Sequence, residues 1–241
     1  MGQAAKPNLT RVLAHLGFEL VAVHRSERQH LINTLQRLSI RTVFDIGANQ
    51  GQFGLLIRSL GYSGYILSLE PMNAAFGRLK AQARRDPLWH VCNVAIDSES
   101  REVTLNVAAN STSSSLLEIS SLHIHAEETS RTVRSEVVRS KTLDEVDIEQ
   151  KPAPPYFLKI DVQGNEMAVL DGGKLALDKT AALRIETSLR QLYQGAPTIS
   201  AVLSRLEREG FVPIGFEHAF EDPRTGDDLQ VDIIACRKEL L

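Results

Sequence analysis

From Arg41 onward, short apolar runs and amphipathic stretches take turns along the chain. "RTVFDIG" has the length of a buried strand, and "GQFGLLIRSLG" carries helical spacing and stops at Gly61. "YILSLE" follows as a second strand halted by Pro71, and "NAAFGRLKAQARR" as a second helix that Asn73 is placed to cap. "WHVCNVAI" reads as a third strand. The alternation then lapses. "EVTLNVAA" and "RTVRSEVVRSKTL" have the pattern of polar-faced strands, and the Ser-rich "NSTSSSLLEISSLHIHAEE" lies between them. It resumes with "YFLKIDV", a helix over about 165–178, the strand "AALRIET" and a helix from Ser200 to Glu209. "FVPIGFEHAF", the turn "EDPRTGDD" and "QVDIIACRK" close the chain as a β-hairpin.

Upstream, residues 8–38 read as one or two amphipathic helices. Leu9, Val12, Leu13 and Leu16 recur at helical spacing, and "ERQHLINTLQRL" repeats the pattern. Strand–helix alternation with short links predicts an α/β fold, doubly wound, with a mostly parallel sheet covered on both faces and a C-terminal antiparallel hairpin. We expect an N-terminal helical extension over 1–40 and one domain over 41–241, with an insertion at about 100–145.

Composition narrows the function classes. With 43% hydrophobic and 24% charged residues the 241-residue chain is ordinary for a folded domain, and its formal charge of −3 argues against a broad basic surface for nucleic acid. No uninterrupted apolar run approaches the roughly 18 residues needed to span a bilayer. The first residues lack a signal-peptide core, and Lys6 stands where a myristoylation signal needs Ser or Thr, so the cytoplasm is the expected location. Cys92 and Cys236 sit in apolar runs, as buried thiols do in a reducing compartment. The sequence is compatible with a homo-oligomer.

In a doubly wound sheet, ligands sit beyond the carboxyl ends of the strands where strand order reverses. "FDIGANQG" ends the first strand, and Gly47 and Gly51 would let a ligand approach the backbone while the next helix offers free N–H groups. Glu70 ends the second strand in "SLEP", where an acid can accept hydrogen bonds from both hydroxyls of a ribose. A nicotinamide cofactor prefers a further glycine where this chain has Asn49, and the Gly-Lys-Ser/Thr of a P-loop is absent. Asp45 suits a cationic, amino-acid-bearing ligand, which favours S-adenosylmethionine over an anionic nucleotide.

"FDIGANQGQF", "SLEP", "NVAI", "KTLDEV", "LKIDVQGNEMAVLDGG" and "IETSLRQLYQGAP", in that order, resemble the FkbM-type methyltransferases. The resemblance runs from about residue 41 to the hairpin and is most specific in "LKIDVQGNEMAVLDG". It implies a Rossmann-like seven-stranded S-adenosylmethionine-dependent fold and O-methylation of hydroxyls on sugars, glycolipids or secondary metabolites. By position it implies Gly47, Asn49 and Gly51 in the cofactor turn, Asp45 near the methionine portion, Glu70 on the ribose, and Asn93 and Ala95 beside the adenine, with Asp97 a further neighbour.

Methyl transfer to a sugar hydroxyl needs a positioned acceptor and a group to take its proton. Asp161, ending "FLKID", and Glu186, ending the next strand, are the candidate catalytic residues. On adjacent strand ends the two could bind a divalent cation such as Mg²⁺ or share a proton. Glu166 fits a cap as well as catalysis. His123 and His125 would lie on one side of a strand and read as surface or substrate-loop residues. Tyr193 suits either an acceptor-pocket wall or packing, and His218 and Asp232 a structural role. The expected acceptor is a hydroxyl of a sugar, glycolipid or glycosylated metabolite. The alternatives are a polyketide or other small-molecule hydroxyl and, as another class, a nicotinamide-dependent oxidoreductase. Phe18, Leu20 and Val21 read as a buried helical seam, with membrane contact the alternative for a glycolipid enzyme.

Overall fold

The computed structural model describes residues 25–241. The helical reading of 8–24, with Phe18, Leu20 and Val21, lies outside the described residues. Its downstream part is helix α1 (Arg25–Arg37). Ten strands follow: β1 (Thr42–Ile46), β2 (Tyr65–Leu69), β3 (Trp89–Cys92), β4 (Ala95–Ile96), β5 (Glu102–Ala108), β6 (Thr132–Lys141), β7 (Tyr156–Ile160), β8 (Thr180–Ser188), β9 (Phe211–Glu221) and β10 (Asp228–Arg237). Seven form one sheet in the order β3-β2-β1-β7-β8-β10-β9, and β4-β6-β5 form a second, three-stranded sheet. β1, β2, β3, β7 and β8 run parallel, whereas β10 is antiparallel to both its neighbours. The chain winds outward from β1 to β3 and returns to place β7 beside β1. Strand order therefore reverses between β1 and β7, which is where such sheets hold ligands.

The period-two pattern of the strands sorts their side chains onto two faces. Phe44, Leu67 and Leu158 enter one buried cluster, and Val43, Ile66 and Phe157, each one residue earlier, enter the other. The second cluster is covered by α1 through Leu31, Ile32 and Leu35, by α2 (Gln52–Ser59) through Ile57, and by α3 (Asn73–Ala83) through Leu79. The first is covered by α5 (Leu143–Gln150), by the short helices Glu166–Asp171 and Lys174–Asp178, and by the helix Ile199–Arg208. No helix among the described residues is long and apolar enough to cross a membrane.

Three elements differ from expectation. "WHVCNVAI" divides at Asn93, whose side-chain amide donates to the carbonyls of Glu70 and Pro71 (2.9 and 3.0 Å) and turns the chain out of the main sheet. The helix expected over 165–178 breaks at Gly172–Gly173, where a Cβ on Gly172 would lie 2.4 Å from the Asp97 carbonyl oxygen. The strand expected to run to Leu143 stops at Lys141 because Thr142 caps α5 in a reciprocal capping box with Glu145. The Ser-rich insertion contains α4 (Ser121–Ala126) and is tied down: Ser115 Oγ donates to the Gln163 carbonyl (2.6 Å), and Tyr193 Oη shares its one hydrogen between the Ser113 carbonyl (3.2 Å) and Gln163 Oε1 (2.6 Å).

Gly47 joins β1 to the turn at φ +76°, and a Cβ there would lie 1.8 Å from the Asp161 carbonyl oxygen. Gly61 has φ +91° with nothing within 4 Å of such a Cβ. Gly61→Ala should therefore cost about 1 kcal/mol, from backbone conformation alone. Gly47→Ala should cost about 3 kcal/mol or more, because the β1 and β7 ends must also separate. Urea denaturation of the two variants checks this, and equal losses would contradict the close approach.

Candidate active site

A cavity of about 560 Å³ opens beyond the carboxyl ends of β1, β2, β7 and β8, and the Asn110–Leu116 part of the insertion forms one wall. Its first half is built on the glycine turn. Gly47 N and Ala48 N both donate to the Leu69 carbonyl at 3.0 Å, which pins the turn to the end of β2. Glu70 then clamps it from the side: Oε2 accepts from Asn49 N (2.7 Å) and Oε1 from Met72 N (2.8 Å). Burial pushes the Glu70 carboxyl up to about 7, against the pull of those two donors. Asn49 sits at φ +46°, and its buried Oδ1 has no hydrogen-bond partner among the described residues. Ala95 and Ile96 supply an apolar wall opposite.

Of the residues expected around a cofactor, Gly47, Asn49, Glu70 and Ala95 line the cavity. Four others lie elsewhere. Asp45 is fully buried behind the turn, where Oδ2 accepts from Ser68 Oγ (3.0 Å) and Oδ1 lies 3.4 Å from Lys159 Nζ. Its carboxyl is raised by burial and pulled down by Lys159 and Ser68. Gly51 faces away, with a Cβ there 3.0 Å from Leu79 and 3.2 Å from Trp89, so the glycine serves helix–strand packing. Asn93 spends its amide on the chain turn already described. Asp97 is likewise outside the cavity lining, accepting from Ser98 N and Arg101.

The second half of the cavity is acidic and densely bonded. Asp161 and Glu186 come together as expected, through an unexpected link. Gln163 Nε2 donates to Asp161 Oδ1 and to Glu186 Oε2, both at 2.7 Å, and Gln230 Nε2 also donates to Glu186 Oε2 (2.8 Å). Tyr193 Oη donates to Gln163 Oε1 (2.6 Å) and so fixes which way the amide faces. Burial, then the Asp161 and Asp232 charges, raise the Glu186 carboxyl well above the usual range. Lys159 Nζ lies 3.2 Å from Asp161 Oδ2 on the other side. An amide nitrogen thus links Asp161 and Glu186, and this arrangement gives no support to a Mg²⁺ shared between them. Among the described residues, three such ligand groups gather at His218, Glu221 and Asp228, exposed on the hairpin.

Glu166 is buried outside the cavity, where Oε1 accepts from Gly164 N (2.9 Å). It braces the left-handed turn of Gln163 (φ +57°) and Gly164 (φ +102°), whereas the helix itself starts after Asn165 with no side-chain cap. The His-x-His pair falls on helix α4, so the rings diverge: His125 is exposed, with Nδ1 2.7 Å from the Ser121 carbonyl, and His123 is buried at the cavity wall. Tyr193 is a packed aromatic, fully buried. Asp232, expected to be structural, lines the cavity and pairs with Arg184 (2.6 Å). Lys159 and Arg184 had a sequence signal that went unused: each is a lone charge inside an otherwise apolar strand, "YFLKI" and "AALRI". Gln163 and Gln230 carried none.

Burial pushes Glu166 up to about 7, with backbone donors opposing. A carboxyl raised on folding binds more protons in the folded chain between about 4.5 and 7, so its contribution makes stability fall as pH rises through that window. Glu70 acts in the same direction. His123, lowered to about 4 by burial, acts in the opposite direction up to its ordinary value of 6.5. Glu166→Gln should therefore shrink the loss of stability between pH 5 and pH 8 by up to about 3 kcal/mol. Urea midpoints at the two pH values check it; an unchanged loss would place Glu166 in an ordinary solvated state.

Among curated proteins no relative matches this chain. Solved structures similar to it include an S-adenosylmethionine-dependent methyltransferase from Mesorhizobium loti, 12% identical, covering 90% of this chain and 98% of that one with a TM-score of 0.48. Another is a human methyltransferase 10 domain containing protein, 12% identical, covering 89% and 82%, with a TM-score of 0.45. The model of the methyltransferase FkbM domain matches residues 45–213, from the buried Asp45 through the glycine turn and both acids to the start of the hairpin. The chain belongs to the FkbM methyltransferase family.

Proposed function

We propose that this protein is an S-adenosylmethionine-dependent O-methyltransferase acting on a hydroxyl of a sugar, glycolipid or glycosylated metabolite. The observation that carries the reading is the division of one cavity into a turn-and-acid half and a bridged-carboxylate half. Membership of a methyltransferase family removes the nicotinamide alternative.

The first half fits the cofactor. Glu70 keeps free lone pairs for ribose hydroxyls after its two backbone contacts, and the orphaned Asn49 Oδ1 is a ready acceptor for a ligand N–H or O–H. Ala95 and Ile96 offer an apolar wall for a purine. S-adenosylmethionine supplies an electrophilic methyl group on a positively charged sulfur. Asp45 is too deep to meet that charge and acts on the site through Lys159.

Asp161 is the group placed to take the acceptor's proton. Its two oxygens are steadied from opposite sides by Gln163 and Lys159, and it stays in the cavity wall. Burial and the Asp161 charge favour the neutral form of Glu186, which weighs against a second negative charge in the bridge. The polar wall of Asn110 to Ser115, with Gln230 on the far side, suits an acceptor that carries several hydroxyls. No step requires a metal, and the expected cytoplasmic location belongs to this proposal.

Transfer of labelled methyl to a panel of sugars and lipid-linked sugars tests the reading. Methylation at oxygen is expected, surviving exhaustive chelation; transfer to nitrogen or carbon, or to non-glycosylated acceptors alone, would overturn it. Asp161→Asn should retain cofactor affinity by calorimetry and lose about 100-fold or more in turnover. Normal turnover would remove Asp161 as the proton acceptor.

A further inference from the structure

Building on the O-methyltransferase reading, we propose that His123 binds a non-reacting hydroxyl of a saccharide acceptor whose ring lies along Phe220. The sequence alone does not single out this residue, because its partner His125 is on the surface. Helix α4 makes the distinction. Ser120 caps it, accepting from His123 N at 3.4 Å, and the helix turns His123 and Ala126 inward while His125 faces solvent.

The inward face belongs to an apolar cluster that includes Ala126, Leu192, Tyr193 and Leu229. The His123 ring is 3% exposed, edge-on to Tyr193 (5.2 Å, 86°) and tilted against Phe220 (5.5 Å, 47°). Packing this tight fixes the ring plane. Its Nδ1 is nevertheless buried with no hydrogen-bond partner among the described residues. The Tyr193 ring packs against it, but its hydroxyl hydrogen is directed to Gln163 and Ser113. A buried polar atom without a partner is rare and calls for an explanation. Here the ring borders the cavity, so a ligand can supply what the fold withholds.

The chemistry of the ligand follows from that of the ring. Burial keeps the imidazole neutral, its pKa held down at about 4. A neutral imidazole presents one donor and one acceptor nitrogen and no charge. An anion gains nothing from it, and a metal ion would find no second imidazole, because His125 turns away to the Ser121 carbonyl. A hydroxyl both donates and accepts, and therefore matches either tautomer. Phe220, half-buried at the same wall, supplies an apolar surface for the C–H face of a sugar ring. Pockets that combine an aromatic wall with a few fixed polar atoms orient their ligands in this way. His123 is thus an acceptor-binding group, distinct from Asp161, which takes the reacting proton.

The test uses chain uniformly labelled with ¹⁵N and saturated with S-adenosylhomocysteine, titrated with methyl glucoside, methyl mannoside and methyl rhamnoside. At least one saccharide should shift the ring nitrogens of His123 and leave those of exposed His218 and His125 in place. His123→Phe keeps an aromatic ring in the cluster and should weaken that saccharide about tenfold, with S-adenosylhomocysteine affinity unchanged. A saccharide that perturbs the Phe220 amide but not the His123 nitrogens would overturn the proposal, as would silence from all three. Failure of S-adenosylhomocysteine to bind would instead overturn the reading beneath it.

Discussion

One ammonium group holds the site together. Lys159 projects from the middle of the sheet, and its Nζ donates to the Gly47 carbonyl (2.9 Å) while lying 3.2 Å from Asp161 and 3.4 Å from Asp45. The ammonium thus donates to the glycine turn and pairs electrostatically with the acid after β7 and the acid buried in β1. Burial alone would drive the lysine to lose its proton; Asp161 and Asp45 more than reverse that, and its pKa is raised. The charge persists because two acids lie beside it, and the fully buried Asp45 is tolerated at its depth because of the charge. Gly47 makes the arrangement possible, since any side chain there would collide with the Asp161 carbonyl.

From that centre the site spreads through hydrogen bonds that each use up a lone pair or a proton. Asp161 passes to Gln163, Gln163 to Glu186 and Tyr193, and Tyr193 to Ser113 in the insertion. The wall facing the acceptor is therefore tied to the floor that carries the candidate base. A polar network this complete is rigid when satisfied and costly when broken. The unpaired atoms beside it, on Asn49 and His123, both border the cavity. Unpaired polar atoms at the cavity edge are what a site shaped for a polyhydroxylated ligand would show.

The sheet and its winding were legible because they follow from local pattern: apolar runs, caps and glycine stops. So was the meeting of Asp161 with Glu186, since both end adjacent strands. What sequence could not supply was depth and direction. Asp45 reads as a site residue by position, yet its place in a strand buried on both faces turns it inward to Ser68 and Lys159. Gly51 and Asn93 lie in the right motifs and serve packing and a chain turn instead. His123 and His125 were read with period two; the helical period separates them. Gln163 was beyond reach, because its role depends on Tyr193, thirty residues away.

The central claim is that Lys159 and the buried Asp45 stabilise one another. Urea denaturation at neutral pH of Lys159→Met, Asp45→Asn and the double variant tests it most directly. Lys159→Met should cost about 3 kcal/mol, because it leaves Asp45 buried without its counter-charge. Adding Asp45→Asn should recover a substantial part of that loss, the sign of a coupled pair. Losses that simply add in the double variant, or a Lys159→Met chain as stable as the original, would contradict the account.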